Sequence, residues 1–251
     1  MGLSRRFGVL MLLIIILIGV SGCMKDELPQ QPTKEENKAK EAEMLAYLKD
    51  KYKQEFTSIE YIPAKRGFND GYNENVLIAE SNDGIQVNVK EKLVYEEQYY
   101  DNYLNFYASK LYENKINYSG IKNLHKAKAY VTLKRDKQNL QDYLNGEFTL
   151  TNEKTLLRYS IISVSGEADE EVLRDLYGVY EQMFSLDDQR NLLIIAFGGD
   201  KSNAEKYVNN YFLYGVIKWE NYDETLKGIM RVSEKGLTFE QFKNQISMIG
   251  G

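Results

Sequence analysis

The run Leu192-Leu193-Ile194-Ile195-Ala196-Phe197 decides the fold class of the C-terminal half of the chain. It has no polar side, so it predicts a central strand that is buried on both faces. Residues 168–184 precede it, and their apolar side chains recur at helical spacing behind the acidic residues 169–171. Acidic side chains stabilise the N-terminus of a helix. A helix that leads into a doubly buried strand is typical of mixed α/β structure.

Weaker patterns complete a predicted mixed α/β module over residues 124–251. Residues 127–133 alternate between apolar and polar side chains, as an amphipathic strand does. We expect residues 147–150 and 158–164 to pair as a hairpin across a short turn. The remaining predicted elements are short helices at 137–144, 203–212 and 238–246 and an edge strand at 229–232.

The N-terminal part of the chain has the signals of a small antiparallel sheet with helices. Ser81-Asn82-Asp83-Gly84 is a hairpin signature between strands predicted at 76–80 and 85–90. In the second strand apolar and polar residues alternate, so one face belongs to a core and the other is solvated. A strand at 58–62 and helices at about 39–56 and 97–115 complete an αβββα module over residues 39–118. The whole chain is therefore predicted to be α+β.

Two motifs in this module resemble a known group of proteins. Tyr47-Leu48-x-x-Lys51-Tyr52-x-x-Glu55-Phe56 and Asp101-Asn102-Tyr103-Leu104 are similar to patterns in a module of uncharacterised surface lipoproteins from low-GC Gram-positive bacteria. The resemblance covers residues 42–115 and implies a cystatin-like or PepSY-like arrangement of a helix on a sheet. Its motifs are core and turn patterns, so it implies no particular chemistry.

The first 22 residues predict an export signal that is removed. Arg5 and Arg6 form a short positive segment, and the 13 residues at 8–20 carry no charge. This apolar core is shorter than the ~20 residues that span a bilayer as a helix, and it has the length of a signal-peptide core. The alternative, an uncleaved membrane segment before an ordinary cysteine, is disfavoured by that short core.

Val20-Ser21-Gly22-Cys23 resembles the lipobox of bacterial lipoproteins, in which a small pair of residues precedes the cysteine. The resemblance implies diacylglyceryl transfer to the Cys23 thiol and cleavage before it. Two acyl chains give stable anchoring, since each buried methylene contributes about 0.8 kcal/mol. Residues 23–38 are polar and predict a disordered tether. Within it, Thr33 and Glu36 have the spacing of a capping box for the helix that follows.

The charge balance limits the possible partners. The chain has 32 basic and 37 acidic residues, and loss of residues 1–22 removes two arginines and no acid, which changes the net charge from −5 to −7. A nucleic-acid partner is not expected, because it requires a basic patch. Anchoring by basic residues on anionic lipid is not expected either.

Cys23 and His125 are the only cysteine and the only histidine. A lipidated Cys23 leaves no thiol for a disulfide or for nucleophilic catalysis. A Ser-His-Asp triad would have to use His125, and zinc sites with several histidines are excluded. His125 precedes a predicted strand, so we interpret it as a loop or strand-edge residue rather than a catalytic one.

Two segments have weak signals of ligand binding. Residues 197–202 follow the buried strand and open a helix, where backbone amides can hold a phosphate. They lack the spacing of a P-loop, and a capping box of Ser202 and Glu205 explains their polarity without a ligand. Residues 69–75 have enough oxygen donors for calcium but not the order of an EF-hand, so a flexible loop is favoured.

Tyrosines crowd the segment around the second helix. Tyrosine gives contact area with a polar tip, so an aromatic surface there suits sugars or a protein partner. The favoured alternative assigns about half of them to the core. The residues are Tyr95, Tyr99, Tyr100, Tyr103, Tyr107 and Tyr112.

These patterns predict a non-enzymatic binding or assembly protein of the cell envelope, held on the extracytoplasmic face of the cell membrane by the lipid on Cys23. An envelope protein or a glycan is the expected partner. No catalytic, cofactor-binding or metal-binding residue is assigned. The alternatives are a solute-binding lipoprotein of a transporter and a carboxylate-dependent envelope hydrolase, although no rule of sequence selects two of the 37 carboxylates.

Overall fold

The fold is known from a computed structural model, which describes residues 31–64, 74–91, 98–186, 190–211, 213 and 224–248. Within those ranges the chain forms a four-stranded sheet and a five-stranded sheet, each with helices. The predicted α+β class is confirmed. No helix of the described residues is long and apolar enough to cross a bilayer.

The described part of the chain contains both helices and strands. They are α1 (Lys34–Tyr52), β1 (Phe56–Ile62), β2 (Val76–Ser81), β3 (Gln86–Glu91), β4 (Tyr99–Asp101), α2 (Tyr103–Glu113), β5 (Leu124–Leu133), α3 (Lys137–Leu144), β6 (Thr155–Val164), α4 (Glu170–Leu186), β7 (Asn191–Gly198), α5 (Lys201–Asn210), β8 (Leu226–Val232), α6 (Phe239–Lys243) and β9 (Ile246–Met248).

Helix α1 begins with the predicted capping box. The Thr33 hydroxyl accepts the Glu36 backbone N–H at 3.1 Å, and the Glu36 carboxylate accepts the Thr33 N–H at 2.7 Å. Residues 34–38, predicted to be tether, are therefore helical. The helix ends at Tyr52 rather than near residue 56, because Lys53 adopts a left-handed conformation with φ of 57°.

The first sheet is antiparallel with the order β1-β2-β3-β4, so it has one strand more than the sequence predicts. Residues 99–101, predicted as the start of a helix, instead pair with residues 89–91 of β3. Their side chains alternate between buried and exposed, which suits a strand. Helix α2 begins only at Tyr103, whose backbone N–H donates to the Asp101 carboxylate at 3.0 Å.

The second sheet has the order β5-β6-β7-β8-β9, and only β6 and β7 are parallel. Strand β7 lies between β6 and β8, and its two faces belong to two hydrophobic clusters. One face packs against α4 and α6, and the other packs against α5. The prediction of a doubly buried central strand is confirmed.

Two predictions for this sheet are wrong. Residues 147–150 form no strand, and β6 pairs with β5 and β7 instead of closing a local hairpin. A strand that is paired on both sides buries more surface than an isolated two-stranded hairpin, which is marginal in water. Residues 229–232 are not at the edge either, because the three-residue strand β9 pairs beyond β8.

Helix α2 contacts the cores of both sheets. Leu104 and Tyr107 pack against the cluster under the first sheet and also against the main cluster of the second sheet. Tyr143 of α3 does the same. This packing brings α3 close to α1 and β4, and those three elements border the first part of the groove described next.

Candidate functional site

Two adjoining depressions along helix α1, which we call the α1 groove, form the candidate site. They have volumes of about 600 Å³ and about 710 Å³ and share Ala46 and Asp50. Ligand pockets have volumes of roughly 300–1,000 Å³. The first depression is lined by Glu43, Ala46, Tyr47, Asp50, Lys51, Gln98, Tyr99 and Leu140. The second is lined by Ala46, Lys49, Asp50, Lys53, Gln54, Glu55 and Asn82.

Asp101 holds two of the residues that line the first depression, Tyr47 and Lys51. Its side chain is only 1 % exposed. One carboxylate oxygen accepts the Tyr47 hydroxyl at 2.7 Å and the Lys51 ammonium at 2.6 Å. The other accepts the Tyr52 hydroxyl at 2.6 Å and the Tyr103 backbone N–H. Three of these four donors are on α1 and hold it against the end of β4, which sets the position of the Tyr47 ring.

The aromatic wall of the groove comes from two different elements. The rings of Tyr47 on α1 and Tyr99 on β4 lie 5.2 Å apart at a tilt of 50°. The Gln98 amide donates to Glu43 at 2.6 Å and to the Tyr99 hydroxyl at 3.2 Å, which ties β4 to the rim of the groove. The wall is therefore held in place before any ligand binds.

Burial keeps the groove hydroxyls protonated. It raises the pKa of Tyr99 to about 12, with a hydrogen bond to Glu43 as the next cause. Burial also raises the pKa of Tyr52, and the neighbouring Asp101 adds to this effect. At neutral pH these hydroxyls are therefore hydrogen-bond donors and not nucleophiles.

The carboxylates on the rim are held ionised. Hydrogen bonding to the Lys40 ammonium lowers the pKa of Glu43, and hydrogen bonding to Lys53 lowers the pKa of Asp50. Both groups are solvent-exposed, so these pairs contribute little to stability. Their chemical consequence is that neither carboxyl carries a proton near pH 7.

A second aromatic network supports the groove from behind. The Gln54 amide donates to the hydroxyls of Tyr103 and Tyr143 at 2.6 Å and 2.9 Å. Those hydroxyls are themselves 3.0 Å apart. Tyr103 is fully buried and packs 4.5 Å from the Tyr52 ring, centroid to centroid. The tyrosines behind the groove are core residues and do not offer a surface.

The exposure of these side chains shows which tyrosines of the tyrosine-rich segment belong to the core and which lie on the surface. Tyr99, Tyr103 and Tyr112 are at most 4 % exposed, so the interpretation as core is confirmed for them. Tyr100 is exposed, whereas Tyr95 lies outside the described residues. The groove also uses Tyr47, which Asp101 holds; both residues belong to the motifs at 47–56 and 101–104, which predicted core and turn roles and no site. Their proximity has no signal in the sequence, because 54 positions separate them.

The segment at 197–202 caps the N-terminus of α5, and the capping residue is Asp200 rather than the predicted Ser202. The Asp200 carboxylate accepts the backbone N–H groups of Ser202 and Asn203 at 2.8 Å and 3.2 Å. The predicted capping box of Ser202 and Glu205 is therefore wrong. Hydrogen bonds from Ser202 lower the pKa of Asp200. A carboxylate of the chain itself already occupies the position that a phosphate would take.

His125 is the second residue of β5, an edge strand, as predicted. It lies at an irregularity in the pairing of β5 with β6. Its Nδ1 atom is buried and has no hydrogen-bond partner within the described part of the chain. The Asp200 carboxylate, which interacts electrostatically with His125, accepts hydrogen bonds from Ser202 and Asn203.

Two predicted sites cannot be placed. Cys23 and residues 69–73 of the candidate calcium loop lie outside the described residues. Asn75, at the end of that loop, accepts the Tyr61 hydroxyl at 2.7 Å and the Ala64 N–H at 2.9 Å. Among the residues that the structure describes, no group of three or more histidine, cysteine or acidic side chains is arranged to hold a metal ion.

Comparison with known proteins gives no match for this chain, whether to a protein-family model, to a curated protein or to a solved structure. A proposal for its function must therefore come from its own residues.

Proposed function

We propose that this chain is a lipid-anchored binding protein of the bacterial cell envelope, and that the α1 groove is its ligand surface. The observation that carries the proposal is the preorganised ring of Tyr47, which Asp101 holds by a hydrogen bond and against which the buried Tyr99 ring packs. A site that is ordered before binding loses less conformational entropy when its ligand arrives.

The N-terminal sequence supports the location. Residues 8–20 have the length of a signal-peptide core, and Val20-Ser21-Gly22-Cys23 matches the lipobox at all four positions. Helix α1 begins at Lys34, so about ten residues separate Cys23 from the folded region. An extended chain spans about 3.3 Å per residue, so a lipid on Cys23 would keep the groove within a few nanometres of the membrane surface.

The charges in the groove favour binding over hydrolysis. A general acid or base works best with a pKa near the operating pH. The lysines beside Glu43 and Asp50 lower the pKa values of these carboxyls, which moves them further away from neutral pH. Asp101 is buried, and its oxygens are already occupied by four donors. These carboxylates therefore suit structure and recognition better than proton transfer.

Photo-cross-linking in living cells tests the proposal. A photoreactive amino acid replaces Ala46, which is exposed and lines both depressions, in the full-length chain. Ala39 is the matched control, because it is exposed on the same helix seven residues earlier and lines neither depression. We expect a discrete adduct from position 46 and none from position 39. Equal labelling from both positions, or none from position 46, would refute the proposal.

A further inference from the structure

The charges that line the α1 groove indicate which class of ligand it accepts. Each of the six charged side chains in the two depressions has an opposite charge beside it. Glu43 pairs with Lys40 at 2.8 Å, Lys51 with Asp101 at 2.6 Å and Asp50 with Lys53 at 2.8 Å. Lys49 and Glu55, both in the lining, pair with each other. The groove therefore presents little net charge to select an anion or a cation.

The tyrosine rings are also shielded from cationic ligands. A ring face attracts a cation within about 6 Å of its centroid. The Lys51 ammonium already lies 5.2 Å from the Tyr47 centroid, and the Lys40 ammonium lies 5.8 Å from the Tyr99 centroid. The chain's own lysines thus occupy the positions that a ligand amine would take.

The remaining lining groups suit a neutral ligand that both donates and accepts hydrogen bonds. The amide nitrogens of Gln54 and Gln98 already donate within the chain, so these two side chains offer their carbonyl oxygens, and Leu140 adds an apolar contact. Asn82 makes no hydrogen bond within the described ranges and is exposed. Amides beside the half-buried Tyr47 ring and Leu140 complement sugar rings, which have apolar faces and hydroxyl edges.

The shape of the groove favours a chain over a single ring. The two depressions adjoin at Ala46 and Asp50, and each alone has the volume of an ordinary ligand pocket. We infer that the α1 groove binds a neutral, linear, hydroxyl-rich glycan chain. This inference rests on the proposed function and adds the class of ligand.

Titration calorimetry on the full-length chain in detergent micelles tests the class of ligand. The probes are neutral hexasaccharides of the glucose, mannose, galactose and N-acetylglucosamine series. The hexamer of glucosamine is a matched cationic probe, because it differs from the N-acetylglucosamine hexamer only in its free amines. The hexamer of galacturonic acid is the anionic probe. We expect at least one neutral hexamer to bind at least about tenfold more tightly than both charged ones, with little dependence on salt.

A groove variant and its control test the place of binding. Ala46→Trp fills the junction of the two depressions, and we expect it to weaken binding at least about tenfold. Ala39→Trp adds the same side chain outside the groove and should leave the affinity unchanged. Circular dichroism of both variants checks that the fold is retained. Unchanged affinity in Ala46→Trp would overturn the assignment of the groove.

The outcomes separate this inference from the proposed function. If a charged hexamer binds more tightly, or if no neutral hexamer binds, the inference of a neutral glycan is overturned. In that case a protein adduct from position 46 in cells would still support the binding function. If position 46 also yields no adduct, both proposals fail.

Discussion

The Ser109 hydroxyl on α2 accepts the backbone N–H of Val131 on β5 at 2.8 Å. One turn earlier in the helix, the Asn105 side chain accepts the Leu133 N–H at 3.0 Å. These strand amides belong to the edge strand of the second sheet, where unpaired N–H groups invite pairing with another chain. Helix α2 therefore covers this edge by supplying side-chain acceptors. The same helix also packs against the core of the first sheet, so it contacts both sheets.

Loss of the Ser109 hydroxyl should destabilise the chain. Ser109→Ala leaves the buried Val131 N–H without its acceptor, and an unsatisfied buried donor costs about 1–3 kcal/mol. We expect the free energy of unfolding in urea to fall by that amount. Ser185→Ala is the control, because this exposed hydroxyl donates only to the Gln182 carbonyl of its own helix. A difference between the two variants below about 0.5 kcal/mol would mean that α2 does not protect the edge through this contact.

The Asp101 network should be essential for the shape of the groove. Asp101→Asn replaces an acceptor oxygen with an N–H donor that faces hydroxyl and ammonium groups. Breaking a buried ion pair from one side costs about 3–5 kcal/mol, and partial exposure of Lys51 places the expected loss at about 3 kcal/mol. Chemical denaturation measures it.

Asp50→Asn provides the matched control for that prediction. Asp50 also pairs with a lysine at 2.8 Å, but its side chain is 88 % exposed. Solvent screens exposed pairs, so we expect no measurable change in the free energy of unfolding. Equal losses in the two variants would show that the Asp101 network is not the structural anchor of the groove.

Buried tyrosines predict a loss of stability at alkaline pH. Burial raises the pKa of Tyr52, Tyr103 and Tyr130 above the ordinary value. The folded state then holds these protons more tightly than the unfolded state does. Their contribution is fully present below about pH 10 and is lost as the pH rises towards the folded-state pKa values. Denaturation curves recorded between about pH 8 and pH 11 should show stability falling only above about pH 10.

A substitution tests the origin of that slope. Tyr130→Phe keeps the buried ring, which packs edge-on 5.1 Å from Phe106, and removes a titrating group. We expect stability to fall less steeply above about pH 10 in this variant, by up to about 1.4 kcal/mol for each pH unit. Tyr100→Phe alters an exposed ring and is the control. An identical slope in Tyr130→Phe and the parent chain would contradict the prediction.

The predicted anchor has its own test. Cys23→Ala removes the thiol that lipid attachment requires, so the precursor should remain uncleaved. Mass spectrometry of the protein recovered from cells should detect a chain that retains residues 1–22. Efficient cleavage before residue 23 in this variant would show that the segment is not processed as a lipobox.

The sequence by itself determined the elements whose signals are local. The continuous apolar run at 192–197 identified β7, the turn residues 81–84 identified the hairpin of β2 and β3, and the acidic first turn identified α4. In each case the deciding interactions lie within a few residues, so periodicity and turn chemistry report them directly.

Only the tertiary structure decided the pairings and the groove. Residues 99–101 have the composition of a helix start, yet they form a strand because β3 offers them a hydrogen-bonding edge. Strand β6 pairs with the distant β7 rather than with residues 147–150. Likewise, Tyr47 meets Asp101 across 54 positions. Such contacts depend on how the sheets pack, and packing energy between remote segments has no period along the chain that a sequence pattern can display.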